Sequence, residues 1–136
     1  MDRVRICIVD DSLTMRAMLA EMLGGERGID VVGVVADTAE TYAFLRSVRP
    51  QVVAIDLGIG GIAGLTLIDR IAGRLGLPVV VLAAGGGDDP VVAQALRRGA
   101  VGWFDRRTVA TDTRALVRLL KRAAAMKPRL ELREAA

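Results

Sequence analysis

The sequence predicts an α/β fold, a doubly wound sheet of five parallel strands with helices on both faces, and three observations carry that prediction. Short β-branched or apolar runs alternate with longer amphipathic stretches, at intervals that fit repeated strand-helix units. Three of these runs, Ile6-Cys7-Ile8-Val9, Val52-Val53-Ala54-Ile55 and Val79-Val80-Val81-Leu82, are apolar at every position, as strands covered by helices on both faces must be. The 136 residues suffice for one domain with a full core and fall short of two ordinary ones. Right-handed crossovers then leave few other topologies.

Taken in order, Val4 to Val9 reads as the first strand. The helix after it spans Leu13 to Leu23, with Leu13, Met15, Met18, Leu19, Met22 and Leu23 at helical spacing, Ser12 as N-cap and Gly24-Gly25 as the stop. Val31 to Val35 is the second strand, Thr38 to Val48 the second helix, Val52 to Ile55 the third strand and Leu65 to Leu75 the third helix. The fourth strand is Pro78 to Leu82. Asp89 ahead of Pro90 opens the fourth helix, Pro90 to Arg98, because a proline at the first helical position loses no needed donor. A short fifth strand, Gly102 to Phe104, leads to a last helix capped by Thr111 or Asp112 and running to about Met126, with an apolar stripe of Leu116, Val117, Leu120 and Ala124. These elements place one domain at residues 1–126 and leave 127–136 as a C-terminal tail.

Composition removes several chemistries. A chain that is 52% hydrophobic with mean hydropathy +0.39 has ample apolar area to bury, which excludes a disordered polar chain. The absence of histidine eliminates Ser-His-Asp and Cys-His nucleophile systems, His metal sites and phosphohistidine on this chain. The single cysteine, Cys7, lies within an apolar run and reads as a buried structural thiol. Only 3% of residues are aromatic, so stacking platforms for single-stranded nucleic acid are few. No apolar run reaches the roughly 18 to 20 residues that span a bilayer, and the start of the chain leads directly into a strand, so the expected location is the cytoplasm.

In an open α/β sheet, sites form outside the carboxyl ends of the strands near the switch point in strand order. Three acids lie there: Asp10 and Asp11 directly after the first strand, and Asp56 directly after the third. Carboxylates a few ångströms apart repel by about 4 kcal/mol per pair at an effective dielectric near 20, so the cluster requires a cation or raised pKa values. Mg²⁺ answers this, since it takes oxygen ligands and keeps several waters. Asp56 could then also accept a phosphoryl group. Helix capping alone would explain one aspartate after a strand; three acids at two strand ends favour a cation-binding pocket.

On these residues the sequence resembles the receiver domain of two-component response regulators, over about residues 3 to 126. Ile8-Val9-Asp10-Asp11-Ser12 matches the family's acidic pair, and Ser12-Leu13-Thr14-Met15-Arg16 is similar to chemotaxis receivers of the CheY and CheB type. Asp56 in Val52-Val53-Ala54-Ile55-Asp56-Leu57 falls at the phosphoacceptor position, Gly64 at the glycine that opens the third helix, and Gly99-Ala100-Val101-Gly102-Trp103-Phe104 at the Gly-Ala turn and switch strand, with Trp103 as the switch aromatic. The resemblance implies a flavodoxin-like strand order of 2-1-3-4-5. It also implies Mg²⁺ held by Asp11, Asp56 and the Gly58 carbonyl, with Asp10 acting through water, a sensor histidine kinase as phosphoryl donor, and output by protein binding without enzymatic activity.

The pattern breaks in three places. The family's hydroxyl residue at the end of the fourth strand is Ala83, which has no donor; a hydrogen bond to a charged group contributes about 1.5 to 3 kcal/mol, comparable to the bias of a two-state switch. The family's lysine after the fifth strand is Arg106, followed by Arg107 in place of a proline; charge is kept, but a forked guanidinium cannot occupy an ammonium's place unchanged. Both loops beside the site, residues 58–63 and 84–88, are glycine-rich, which raises the cost of ordering them. The resemblance therefore points to an atypical receiver, expected to be a stand-alone signalling module whose output is protein binding.

The last third of the chain is basic. Residues 1–88 carry 8 basic and 11 acidic side chains, whereas residues 89–136 carry 11 and 5. Arg97, Arg98, Arg106 and Arg107 are followed by Arg114, Arg118, Lys121 and Arg122 on one face of the last helix. Two readings stand: a solvated polar face, or a surface that steers an anionic partner. In the resembled family the fourth helix, fifth strand and fifth helix bind partners such as a flagellar motor or signalling protein. Some CheY-like members with arginine-rich segments bind cyclic di-GMP, which implies Arg106, Arg107, Arg114, Arg118 and Arg122 as an anion site.

Alternatives from other classes are an excised receiver of a methylesterase-type regulator, which the CheB-like opening permits, and a small phosphatase using Asp56 as nucleophile. The second lacks an acid two residues after Asp56 to act as general acid. DNA binding lacks a separate recognition helix.

Overall fold

The computed structural model describes residues 3–58, 61–85 and 87–126, the side chains of residues 61–63 excepted. Five parallel strands, β1 (Val4–Val9), β2 (Ile29–Val35), β3 (Val52–Asp56), β4 (Val79–Ala83) and β5 (Gly102–Asp105), form one sheet in the order β2-β1-β3-β4-β5. This is the doubly wound, flavodoxin-like order that the resemblance implies. Helices α1 (Leu13–Gly24), α2 (Thr41–Val48), α3 (Gly61–Ile68), α4 (Pro90–Arg97) and α5 (Thr113–Ala124) connect and flank the strands.

Because side chains alternate across a strand, each strand feeds two cores. Cys7, Val9, Val53, Ile55, Val79 and Val81 point to the face covered by α2, α3 and α4, where Leu45, Leu65, Ile68, Val92 and Ala95 meet them. Ile6, Ile8, Val52, Ala54, Val80 and Leu82 point to the face covered by Leu19 and Leu23 of α1 and Leu116, Val117, Leu120 and Ala123 of α5. Burial on both faces explains why β1, β3 and β4 carry continuous apolar runs. The two helices on the second face bring the turn after α1 next to α5.

Several boundaries differ from the sequence reading. β2 begins two residues early because Ile29 and Asp30 pair with Val4 and Arg5 of β1, a tertiary partner that local pattern does not show. α2 starts at Thr41, not Thr38: the Thr41 hydroxyl donates to the Ala36 carbonyl and accepts from the Thr38 amide, both at 2.9 Å, while the Thr38 hydroxyl accepts from the Glu40 amide, which makes residues 38–40 a turn. α3 begins at Gly61, so Gly64 lies within the helix and does not open it. A π-helical turn over Asp69–Arg74 follows, closed by the Leu75 amide on the Arg70 carbonyl at 3.2 Å.

Other local signals act as read. Ser12 caps α1 by accepting from the Met15 amide at 3.2 Å, and Asp89 caps α4 by accepting from the Val91 amide at 2.9 Å with Pro90 in the first turn. Of the two cap candidates for α5, Asp112 holds the N-cap position but its side chain makes no cap bond, and the Thr111 hydroxyl donates to the Thr108 carbonyl. The tail at 127–136 lies outside the described residues, as do Ile59, Gly60 and Gly86 of the glycine-rich loops.

Candidate functional site

The site sits at the carboxyl rim of the sheet, where β1 and β3 lie side by side and their chain exits diverge. Asp56 is the last residue of β3 and 2% exposed; Asp10, immediately after β1, is 1% exposed. Register pairs Val9 with Ile55, so the two acids leave adjacent strand ends at the same level. Two buried carboxylates this close repel each other and lack water, a placement that folding does not favour without compensation.

Compensation comes from Arg106. One guanidinium nitrogen, Nη1, donates to both Asp56 oxygens, to Oδ2 at 2.8 Å and to Oδ1 at 3.0 Å, across 50 residues of sequence. Asp105 ends β5 and its carboxylate accepts from the Arg107 amide at 2.9 Å, starting a short 3₁₀ turn over Arg106–Thr108 that brings Arg106 to the rim. Gly58 leaves the room: a Cβ there would collide with Arg106 Nη1. Its amide also donates to Asp56 Oδ1 at 2.9 Å. Arg106 and the glycine two residues after Asp56 thus fit each other sterically.

Asp10 is held differently. Its Oδ1 accepts from the Ser12 amide at 2.9 Å, and Arg16 donates to its backbone carbonyl at 2.7 Å. Burial pushes the Asp10 pKa up from its ordinary 3.8 to about 6; the Ser12 amide opposes this, Asp56 adds to it, and Arg106 pulls it back. Asp10 Oδ2 is buried without a hydrogen-bond partner. A carboxylate oxygen orphaned beside a second buried carboxylate suits a hard cation with oxygen ligands, so the Asp10 and Asp56 pair fits Mg²⁺.

Asp11 stands apart from that pair. Its Oδ1 accepts from the Asp37 amide at 3.0 Å, across the start of the β2–α2 loop, and its charge helps raise the Asp37 pKa, after the larger effect of burial. Among the described residues, no group of three or more His, Cys, Asp or Glu side chains could hold a metal ion together. The structure therefore brings Asp10 and Asp56 together and leaves Asp11 on a backbone amide.

A small cavity of about 160 Å³ opens next to Asp56, lined among others by Gly58, Ala83, Gly85, Asp89 and Arg106. Ala83 ends β4 and offers it only a methyl group, so among the lining side chains Arg106 is the one charged donor. Trp103 of β5 is 36% exposed and lies against the loop above, where a Cβ on Gly87 would come within 3.0 Å of the indole.

The five arginines read as one anion site do not form one. Arg106 is committed to Asp56. Arg107 is committed to Asp105, with Nε on Oδ1 at 3.0 Å and Nη2 on Oδ2 at 2.9 Å, an exposed fork that holds the Asp105 carboxyl below its ordinary range. Arg114 and Arg118 line a different groove on α5, which Arg122 does not line. Arg98 bridges to Asp69 at 2.6 Å. Sequence spacing found the common helical face but not these partners. Arg16, Asp37 and Asp105 were missed because their roles depend on backbone groups or loops that only the fold brings near.

Comparison with known proteins points to one family. Residues 6–122 match the response regulator receiver domain family. A protein-glutamate methylesterase/protein-glutamine glutaminase of Myxococcus xanthus is 30% identical over 112 residues, 82% of this chain and 32% of the relative; one of Caulobacter vibrioides is 30% identical over 116 residues, 83% of this chain and 33% of the relative. The chain thus spans about a third of the length of these curated relatives. The response regulator domain of Thermotoga maritima CheB superposes with a TM-score of 0.83 over 93% of this chain and 99% of that one, at 22% identity, a likeness of fold.

Proposed function

The chain belongs to the response regulator receiver domain family, and we propose that within two-component signalling it is an atypical receiver whose Asp56 accepts a phosphoryl group from a sensor histidine kinase. In that step an Asp56 carboxylate oxygen attacks phosphorus, the donor's N–P bond breaks, and the mixed anhydride forms on Asp56 while the electron pair returns to the donor imidazole. The observation that carries the reading is the buried Asp56 at a strand end, gripped by Arg106 beside the orphaned Asp10 oxygen.

Each residue has a task in this reading. The Gly58 amide and Arg106 orient the Asp56 carboxylate, and the cavity beside it gives the incoming group space. Arg106 can turn one donor from Asp56 to a phosphoryl oxygen, since a guanidinium presents several in one plane. Mg²⁺, held by Asp10 and Asp56 with the Gly58 carbonyl, would supply positive charge to the phosphoryl oxygens; Asp11 joins only by leaving the Asp37 amide. With no hydroxyl at Ala83, Arg106 is the route by which phosphorylation reaches β5, Trp103 and α5, and the output is binding of a signalling or motility protein at the α4–β5–α5 face.

Acetyl phosphate with Mg²⁺, followed by intact-protein mass spectrometry, tests this. Wild type should gain one phosphoryl mass and Asp56→Asn none; a phosphoryl group mapped to another residue overturns the assignment. A second reading, the regulatory receiver of a longer methylesterase-type regulator, is favoured by the relatives of which this chain spans a third. Sequencing the reading frame beyond residue 136 distinguishes it, since a downstream catalytic domain is required. The described residues contain no helix long and apolar enough to cross a membrane.

A further inference from the structure

An acid two residues after Asp56 could work with it as a general acid or base, but the chain has Gly58 there. The fold supplies an acid from elsewhere. Asp89, from the loop between β4 and α4, is the one acid among the described residues that line the cavity beside Asp56. Gly58 and Gly85 play matching parts in its wall: a Cβ on Gly58 would collide with Arg106 Nη1, and a Cβ on Gly85 would collide with Asp89 Oδ2. Two missing side chains therefore admit one cation and one anion to the same small space.

Capping accounts for only half of Asp89. Its Oδ1 accepts from the Val91 amide at 2.9 Å, whereas Oδ2 has no hydrogen-bond or ion-pair partner among the described residues. An asparagine would cap α4 as well. A carboxylate in this wall instead puts negative charge where an anionic group must enter, which disfavours holding a phosphoryl group there. Ala83, Ala84 and Val91 offer no polar side-chain atom, so Asp89 Oδ2 is the side-chain acceptor in the wall that can orient a water. At about 160 Å³ the cavity exceeds the roughly 30 Å³ of one liquid water several-fold, which leaves space for a water beside a phosphoryl group.

We propose that Asp89 is the general base for hydrolysis of the phosphoryl group from Asp56, so that the receiver resets itself. This rests on the phosphoacceptor reading of Asp56. A water held by Asp89 Oδ2 attacks phosphorus opposite the Asp56 oxygen and gives its proton to Asp89. The P–O bond to Asp56 breaks, its electron pair returns to the Asp56 carboxylate, and inorganic phosphate leaves. Asp89 is half-buried and then releases the proton to solvent. Arg106, in the same wall, donates to the phosphoryl oxygens through the step.

The full chain is labelled with acetyl phosphate and Mg²⁺, desalted, and followed by intact-protein mass spectrometry as the phosphoryl mass is lost. Asp89→Asn, which keeps a cap on α4, should hold the label about 100-fold longer than wild type. Asp89→Ser, a second neutral cap, should do the same, and circular dichroism checks that both variants are folded. Wild type should lose the label more slowly in heavy water, a slowing that both variants lack. Asp88→Asn, an exposed neighbour that does not line the cavity, should decay as wild type does. Lengthening by less than about tenfold, or equal lengthening in Asp88→Asn, refutes the base role. So does a heavy-water effect that Asp89→Asn retains, and so does faster labelling of that variant with an unchanged lifetime, which would leave Asp89 as a repelling charge only. No label at Asp56 overturns this inference together with the phosphoacceptor reading, whereas a label that decays alike in wild type and Asp89→Asn overturns this inference alone.

Discussion

At the rim, the Arg106 guanidinium pairs with buried Asp56 next to buried Asp10; in the groove on α5, four exposed cations form no ion pair among the described residues. Both places concentrate like charge, but the rim does so in a dry environment where an unpartnered charge is expensive, and there the fold supplies its own counter-ion from 50 residues away. The groove faces water, where repulsion is screened and can remain uncompensated. The same side chain type, arginine, therefore acts as a structural counter-ion in one region and as a solvated surface charge in the other.

Four substitutions break or sharpen this contrast, and the largest concerns neither set of charges. Leu120 on the inner face of α5 is fully buried, so Leu120→Ala should cost about 2–5 kcal/mol in urea unfolding and would show that apolar contact alone holds the groove's helix in place. A loss below about 1 kcal/mol would contradict the core assignment.

Next comes Arg106→Met, which strands Asp56 and Asp10. Breaking a buried pair costs about 3–5 kcal/mol, but Arg106 is 33% exposed, so we expect about 2 kcal/mol, with part recovered on adding Mg²⁺. Unchanged stability with and without the metal would mean that the rim does not need a cation.

A smaller effect follows pH in metal-free buffer. The Asp10 pKa is raised when folded, so between roughly pH 4 and 6 the folded protein holds a proton that the unfolded chain has released. Stability from this group is then highest near pH 4 and declines as pH rises to about 6, by about 1–2 kcal/mol given its coupling to Asp56. The difference between wild type and Asp10→Asn across that window isolates the effect; parallel curves would remove it. The smallest change is Arg114→Ala, which relieves repulsion from Arg118 and the unfavourable dipole position and should stabilise by about 0.5 kcal/mol. Clear destabilisation would show that Arg114 already has a partner.

Much of this was legible in sequence because it is periodic. Alternation and helical spacing are local properties, so five strands, five helices and the positions of Asp10 and Asp56 at strand ends could be read directly from the chain. Ser12 and Asp89 caps were equally local, each bonding an amide two or three residues on. The start of α2 was misread because Thr41 bonds back to Ala36, and a threonine looks the same whether it continues a helix or closes the turn before one.

What the sequence by itself determined is the order of elements and the presence of acids at the rim and cations near the end, since composition and spacing are fixed along the chain. Only the tertiary structure decided which charges meet: that Arg106 lies on Asp56, that Asp11 turns to the Asp37 amide, and that Arg107 takes Asp105 while Arg114 and Arg118 form no ion pair among the described residues. The reason is range. A hydrogen bond or ion pair is decided within about 3 Å, and crossovers between parallel strands bring together residues whose separation in sequence carries no trace of that distance.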